Sequence, residues 1–318
     1  MRTIDWVGGA VDIVDQTRLP GEYVRLRLDT VDALVDAIVR LAVRGAPALG
    51  VAGALGVVLA ARGPSPEADV ARLRAARPTA VNLARGVDRA AGRLAAGPDA
   101  VLAEALAVRD EEIASSDAMA ARGADLVTAL CGPAPRLLTH CNTGALATVT
   151  GGTALSVVAE LHRRGRLAGV VASETRPLLQ GARLTAWELA ALGVPCRVAV
   201  DGAGPFLMAR GEVDAVILGA DRICANGDVI NKIGTYGHAL GARRAGIPFL
   251  VVAPESTVDT STGTGADVEI EDRGPAEVLF PGTPESVGAA NPAFDVTPAD
   301  LVTAIVTDRR VIRPGDVV

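Results

Sequence analysis

Five short apolar runs, at 136–139, 169–172, 197–200, 215–218 and 249–252, punctuate the second half of this chain. Between them lie segments long enough for helices, such as 182–192 and 232–245. Strands that alternate with helix-length crossovers pair in parallel, because a tight turn cannot join parallel neighbours. The spacing therefore predicts an α/β domain built on a parallel sheet. Polar residues follow the runs: His140-Cys141-Asn142-Thr143-Gly144 after the first and Ser173-Glu174-Thr175-Arg176 after the second. Asp201 follows the third, and Gly219-Ala220-Asp221-Arg222 the fourth. Open parallel sheets bind ligands outside the carboxyl ends of their strands, so a site is expected along this edge. No Gly-x-Gly-x-x-Gly follows the first run, which gives no indication of a dinucleotide.

The first half reads differently. Residues 30–39 carry apolar positions three and four apart, with Thr30 placed as an N-cap. Gly50, Gly53 and Gly56 would line one side of a helix and permit a close neighbour. A hairpin is expected over 3–7 and 11–14 around Gly8-Gly9, and breaks at Gly63-Pro64-Ser65-Pro66 and Arg77-Pro78-Thr79. The chain divides on this pattern into a mostly helical domain with a small hairpin, 1–131, and a catalytic domain, 132–318. Of 318 residues, 49% are hydrophobic but only 3% aromatic, so the core must be Ala, Val and Leu.

Composition excludes several classes. A net charge of −6 argues against a nucleic-acid partner. The start, Met1-Arg2-Thr3-Ile4-Asp5-Trp6, lacks the apolar core of a signal peptide. The longest apolar stretch, 46–61, is broken by Pro47 and glycines and falls short of the ~20 residues of a membrane span. A soluble, cytoplasmic protein is expected. Cys131, Cys141, Cys196 and Cys224 show no CxxC pairing, and His140, His162 and His238 no ligand spacing, so neither disulfides nor a metal is expected.

The residues with chemical promise then stand out. Cys141 sits where a strand stops, ahead of an expected helix whose dipoles would lower a thiol pKa; a buried, inert thiol is the other reading. Asp221 ends an apolar run, and a carboxylate in apolar surroundings can act as acid or base near neutrality; pairing with Arg222 or capping a helix is the alternative. Asn231-Lys232 reads as an N-cap and a cation opening a helix, a phosphate cradle. Arg44-Gly45-Ala46-Pro47 offers a guanidinium beside exposed backbone, and Arg77 could also reach a phosphate. Thiol, carboxyl and anion donors together suit proton transfer on a small phosphorylated molecule.

Blocks in order carry a resemblance. They are Asp15-Gln16-Thr17-Arg18-Leu19-Pro20, Val43-Arg44-Gly45-Ala46-Pro47-Ala48, Arg77-Pro78-Thr79-Ala80-Val81-Asn82-Leu83 and Leu138-Thr139-His140-Cys141-Asn142-Thr143-Gly144. Then come Glu174-Thr175-Arg176-Pro177-Leu178-Leu179-Gln180-Gly181-Ala182-Arg183, Gly219-Ala220-Asp221-Arg222-Ile223, Asn231-Lys232-Ile233-Gly234-Thr235 and Asn291-Pro292-Ala293-Phe294-Asp295-Val296-Thr297-Pro298. In these the chain resembles the 5-methylthioribose-1-phosphate isomerase family of methionine salvage, over nearly its whole length. The resemblance implies a small N-terminal domain on a Rossmann-like C-terminal domain, a homodimer, and no metal or cofactor. It implies catalysis by Cys141 and Asp221, with substrate contacts at Arg44, Gly45, Ala46, Arg77, Gln180, Asn231 and Lys232. The implied reaction converts the aldose 5-methylthioribose 1-phosphate to its ketose, 5-methylthioribulose 1-phosphate. Related alternatives are isomerases of 5-deoxyribose 1-phosphate or ribose 1,5-bisphosphate, and a non-catalytic regulatory relative in translation initiation. Departures such as Thr150-Gly151-Gly152, Ser173-Glu174 and Asp201-Gly202 bear on the 5-substituent. Arg176 and Arg183 are expected to be structural ion-pair partners, leaving the 5-position an apolar pocket.

Overall fold

The computed structural model describes residues 2–78, 80–313 and 315–316. Thr79, one residue of the Arg77-Pro78-Thr79 break, lies outside the described residues. Two compact units emerge, Met1–Ala118 with Asn142–Ser156, and Met119–Cys141 with Val157–Val318. This division differs from a single cut after Cys131. The chain passes between units at 118/119, 141/142 and 156/157, because 142–156 makes its contacts with the first unit and 119–131 with the second.

The first unit opens with a three-stranded antiparallel sheet, β1 (Ile4–Val7), β2 (Ala10–Val14) and β3 (Arg25–Leu28). The first two strands form the expected hairpin, with Gly8 and Gly9 both at positive φ in the turn. Strand β3 was not evident in the sequence, because only its second and fourth residues are apolar. Helix α1 (Val31–Val39) starts at Thr30, whose hydroxyl accepts the Ala33 N–H at 3.2 Å. Helices α2 (Ala46–Ala61), α3 (Pro66–Ala75), α4 (Val81–Ala91) and the long α5 (Pro98–Cys131) follow. The α2 glycines do what their spacing suggests. A Cβ at Gly50 would lie 3.2 Å from the Asn82 carbonyl and one at Gly53 2.8 Å from that of Leu83, so α2 and α4 meet nearly backbone to backbone. Leu34, Val51, Leu55, Val58, Leu73 and Leu83 fill the core around α2, and Val149 joins them.

The second unit carries β4 (Arg136–Thr139), α6 (Ala154–Arg163), β5 (Gly169–Ser173), α7 (Ala186–Ala191), β6 (Cys196–Ala199), α8 (Ala203–Ala209) and β7 (Ala215–Leu218). Next come β8 (Arg222–Cys224), β9 (Val229–Lys232), α9 (Thr235–Ala245), β10 (Phe249–Val252), β11 (Val258–Asp259), β12 (Phe294–Thr297), β13 (Ala304–Val306) and β14 (Val311–Ile312). The main sheet has the order β14-β13-β10-β7-β4-β5-β6, parallel throughout except for β14 at one edge. Counted in chain order, its six parallel strands run sixth-fifth-fourth-first-second-third, the doubly wound order. The direction of winding reverses between β4 and β7, which are direct neighbours. β7 is apolar and buried throughout and β4 is buried except at Arg136, as expected of strands covered on both faces. A second sheet, β11-β8-β9-β12, lies beyond the sequence reading. Among the described residues no helix is long and apolar enough to cross a membrane.

Candidate active site

In a doubly wound sheet the crevice opens where the winding reverses. The chain leaving β4 is His140-Cys141, and the chain leaving β7 is Gly219-Ala220-Asp221. The two expected catalytic residues therefore follow the two strands that flank the reversal.

Cys141 is half-buried and takes up φ +61°, a left-handed conformation rare for a residue with a Cβ. Its main chain is held from both sides. The Cys141 N–H donates to Thr175 Oγ1 at 2.9 Å, and Thr185 Oγ1 donates to the Cys141 carbonyl at 2.6 Å. Thr175 and Leu179 share positive φ (67° and 57°), and 181–185 forms a π-turn ahead of α7. Residues forced from their favoured backbone regions collect at functional sites, where the surroundings over-determine them. The helix expected after Cys141 is absent. A three-residue 3₁₀ turn, Ala145–Ala147, follows, and α6 begins only at Ala154, so Cys141 does not open a helix. The cysteines outside the site carry raised thiol pKa values: burial pushes Cys131 and Cys224 to about 11 and raises Cys196.

Asp221 is exposed, not set in the apolar surroundings that its run suggested. Its N–H donates to the Ile230 carbonyl at 2.9 Å, which fastens the end of β7 to the second sheet. Asp201 is a staple. Its carboxylate accepts from Ser173 Oγ (2.6 Å) and from the N–H groups of Thr175 (2.8 Å) and Arg176 (2.7 Å). Burial works to raise its pKa, but these donors win and hold it below the usual value.

Asn231 and Lys232 are not a helix cap. Both lie in β9, buried, and α9 starts at Thr235 behind Gly234 at φ 106°. The Asn-Lys-x-Gly-Thr string imitates a cap, but pairing with β12 (Asn231 opposite Asp295, Lys232 opposite Phe294) keeps it extended. Asn231 Nδ2 donates to Thr235 Oγ1 at 2.9 Å. Lys232 Nζ donates to the Ala293 carbonyl at 2.8 Å and stands 4.5 Å from the centre of the Phe294 ring. The anion at the start of α9 is the protein's own: Asp295 accepts the N–H groups of Gly234 (2.7 Å) and Tyr236 (3.2 Å). Burial drives its carboxyl up to about 6, against the pull of those N–H donors and of Lys232.

Gln180 immediately precedes the π-turn; it is buried, and its Oε1 has no hydrogen-bond partner among the described residues. A buried amide oxygen left so is a ready contact for a ligand hydroxyl. In the first unit, Arg44 donates to both the side-chain (2.9 Å) and main-chain (2.9 Å) oxygens of Asn142, next in the chain after Cys141. Gly45 caps α2 at φ 96°, where a Cβ would lie 2.6 Å from Ala147, and Ala46 is the first residue of the helix. Arg77 is half-buried between α3 and α4 in the chain.

The reading of Arg176 as an ion-pair partner needs correction. Among the described residues no carboxylate lies within ion-pair distance of Arg176; its guanidinium stands over the Phe280 ring at 5.8 Å and donates to the Val278 carbonyl at 3.4 Å. Arg183 donates to the Leu178 carbonyl at 3.3 Å. The sequence also held groups given no role: His140 and His238, Thr175, Thr185 and Asp295. His140, Thr175 and Asp295 stand inside the quoted blocks, but only the fold reveals what they touch.

The initiation factor 2 subunit family matches residues 42–314. A probable bifunctional methylthioribose-1-phosphate isomerase/methylthioribulose-1-phosphate dehydratase of Nocardia farcinica is 53% identical over 98% of this chain; the chain spans only 60% of that protein. A 5-deoxyribose 1-phosphate isomerase of Moorella thermoacetica is 50% identical over 98% of this chain and 94% of its own length. Among solved structures, 5-methylthioribose 1-phosphate isomerase from Pyrococcus horikoshii superposes with a TM-score of 0.91 at 40% identity, covering 98% of this chain and 92% of that one. The translation initiation factor eIF-2B, subunit delta, from A. fulgidus gives 0.85 at 41% identity, covering 99% and 96%. These matches make the chain a member of the initiation factor 2 subunit family and, within it, a relative of the methylthioribose-1-phosphate isomerases.

Proposed function

We propose that this protein is an aldose–ketose isomerase that converts 5-methylthioribose 1-phosphate to 5-methylthioribulose 1-phosphate. The observation that carries the reading is the placement of Cys141 and Asp221 after β4 and β7, either side of the reversal in winding. Residues that leave neighbouring strands at this point converge on whatever binds there.

The chemistry sets the demands. The anomeric carbon of the substrate carries the phosphate ester, so the ring must open by breaking the bond from C1 to the ring oxygen. That oxygen gains a proton, the hydrogen on C2 moves to C1, and the C2 hydroxyl loses its proton to become the ketone. Atoms and charge balance, and a single acid/base group can return the proton from one oxygen to the other. In this reading Asp221 is that group, and Cys141 is its partner across the reacting carbons. In the second unit Lys232 and Asn231 take the 1-phosphate and Gln180 a sugar hydroxyl; in the first, Arg77 and the Arg44-Gly45-Ala46 loop are the proposed substrate contacts. Neither catalysis nor binding in this scheme calls on a metal or cofactor.

The protein acts as a cytoplasmic homodimer. Four unbonded cysteines fit a reducing compartment. Val198 and Val200 at the open edge of the sheet and Phe206 on α8 are largely exposed (46%, 64% and 62%), an apolar group that a second copy would cover.

Two other readings have support of their own. The Moorella relative favours 5-deoxyribose 1-phosphate, and the A. fulgidus structure a regulatory role. The deciding measurement is kcat/KM on 5-methylthioribose 1-phosphate, 5-deoxyribose 1-phosphate and ribose 1,5-bisphosphate. A methylthio group in place of hydrogen is worth roughly 10–200-fold in an apolar pocket, so both are expected to turn over with methylthio ahead. A higher value for the bisphosphate would overturn the apolar pocket, and no turnover of any would support the regulatory reading.

A further inference from the structure

Two histidines stand at the carboxyl edge of the sheet with no part in the scheme above. His140 and His238 are buried, their rings edge to face with centroids 4.9 Å apart. The Ile233 carbonyl, 2.8 Å from His140 Nε2, can only accept, so Nε2 carries the hydrogen. His140 Nδ1 is then bare and accepts from His238 Nε2 at 3.3 Å. His238 Nδ1 in turn has no partner among the described residues, and the ring lies so close to the backbone of Gly204 that a Cβ there would be 2.5 Å away. The pair is locked in one tautomeric arrangement.

What it touches gives it meaning. His140 immediately precedes Cys141, and its Nδ1 lies 3.5 Å from Thr175 Oγ1, the atom that receives the Cys141 N–H. Its other nitrogen grips the turn Ile233-Gly234, which continues directly from Asn231-Lys232. Asp295 holds the same turn through the Gly234 N–H, and a Cβ at Gly234 would strike His140 Cε1 at 2.9 Å. One imidazole thus joins the loop of the thiol to the strand that offers Asn231 and Lys232.

We propose that His140 is a positioning residue which, kept neutral and in register by His238, fixes the distance between the Cys141 loop and the Asn231-Lys232 strand. This rests on the proposed isomerase reading. The groups that face the pair are Asp201, Lys232 and each other; burial, seconded by Lys232 at His140 and by His140 at His238, outweighs the Ile233 carbonyl and Asp201 and lowers His140 to about 4 and His238 to about 3.

The test uses full-length His140→Leu, His140→Gln and His238→Leu proteins, with circular dichroism to confirm folding. Each is measured for kcat and KM, for the iodoacetamide labelling rate of Cys141, and for affinity towards inorganic phosphate. A slack of about 1 Å between the two elements costs up to ~10²-fold in rate, so His140→Leu is expected to lose about 10–100-fold in kcat, with phosphate affinity and Cys141 labelling both altered. His140→Gln, which can still offer an N–H to Ile233, should recover part of the loss. His238→Leu removes the donor that keeps His140 neutral, so the acid limb of kcat should move to higher pH. A folded His140→Leu protein with wild-type kcat, labelling and phosphate affinity overturns the proposal. If His140→Leu does not fold, an unmoved acid limb in His238→Leu overturns it and a raised one supports it. Should Cys141→Ser prove fully active, the catalytic thiol falls, and labelling and phosphate affinity still judge the coupling.

Discussion

Cys141 holds a left-handed backbone that costs about 1–2 kcal/mol for any residue with a Cβ. A chain gains nothing in stability from that arrangement, which favours use of the side chain. Cys141→Ser is expected to abolish most turnover with little change in melting temperature, and alkylation at this thiol to inactivate unless substrate is present. Full activity in the serine protein would exclude a catalytic thiol. Asp221→Asn keeps the shape but not the proton acceptor, so kcat should fall by roughly 10²–10⁴ while substrate still binds. Near-normal turnover would remove Asp221 from the acid/base role. Lys232→Ala should chiefly raise KM. Because Lys232 is only 9% exposed and holds the Ala293 carbonyl, it should also cost about 1–3 kcal/mol of stability by denaturant titration, which a surface cation would not. The sequence singles out these three residues as candidates, but their environments were not legible in it. The premises of a helix behind Cys141, burial around Asp221 and a cap at Asn231 all fail, because each depends on distant segments: Thr175 and Thr185, Ile230, and β12.

The elements follow a similar division. Strands β4, β7 and β10 coincide with the runs at 136–139, 215–218 and 249–252, since strands covered on both faces are rich in apolar residues, all four in β7 and β10 and Leu137-Leu138 in β4. Strands β8, β9 and β12 escaped notice because Arg222, Asn231, Lys232 and Asp295 interrupt them with side chains that find partners only in the folded sheet. The α2–α4 contact was readable from glycine spacing on α2, and its counterpart on α4 is closer still: a Cβ at Gly86 would lie 1.9 Å from the Gly50 carbonyl oxygen. Gly86→Ala must push the helices apart and should cost about 1–3 kcal/mol. Gly237, on the exposed side of α9 with open space around it, is the control; Ala there should be neutral or stabilise by up to ~1 kcal/mol. At the start of α9, the Asp295 carboxyl, raised to about 6, stabilises the fold below its ordinary value near 3.8 and loses that contribution as pH rises through 6. Asp295→Asn should accordingly raise the melting temperature at pH 8 relative to pH 5. An equal change at both would refute the raised carboxyl.

For the whole molecule the two buried histidines run the other way. Unfolded imidazoles bind protons below about 6.5, whereas His140 and His238 resist protonation down to about 4 and 3. Their contribution to stability is present above 6.5 and drains away as pH falls towards 4. Two imidazoles act against the raised Asp295 carboxyl, so stability should decline on acidification between pH 6.5 and 4, and His238→Leu should flatten the decline. A wild-type melting temperature that stays level across that window would contradict their burial in neutral form. The path of the chain through its two compact units has a different consequence. Residues 142–156 return to the first unit, where the Thr3 N–H donates to the Val149 carbonyl (3.0 Å), Gln16 Nε2 to that of Leu146 (2.7 Å), and Gly45 abuts Ala147. A gene fragment that ends at codon 131 therefore lacks an internal strip of its own core. Such a fragment should stay soluble only when a peptide spanning 142–156 is supplied in trans, and recombination between homologous genes should yield few working proteins when its breakpoint falls between those codons.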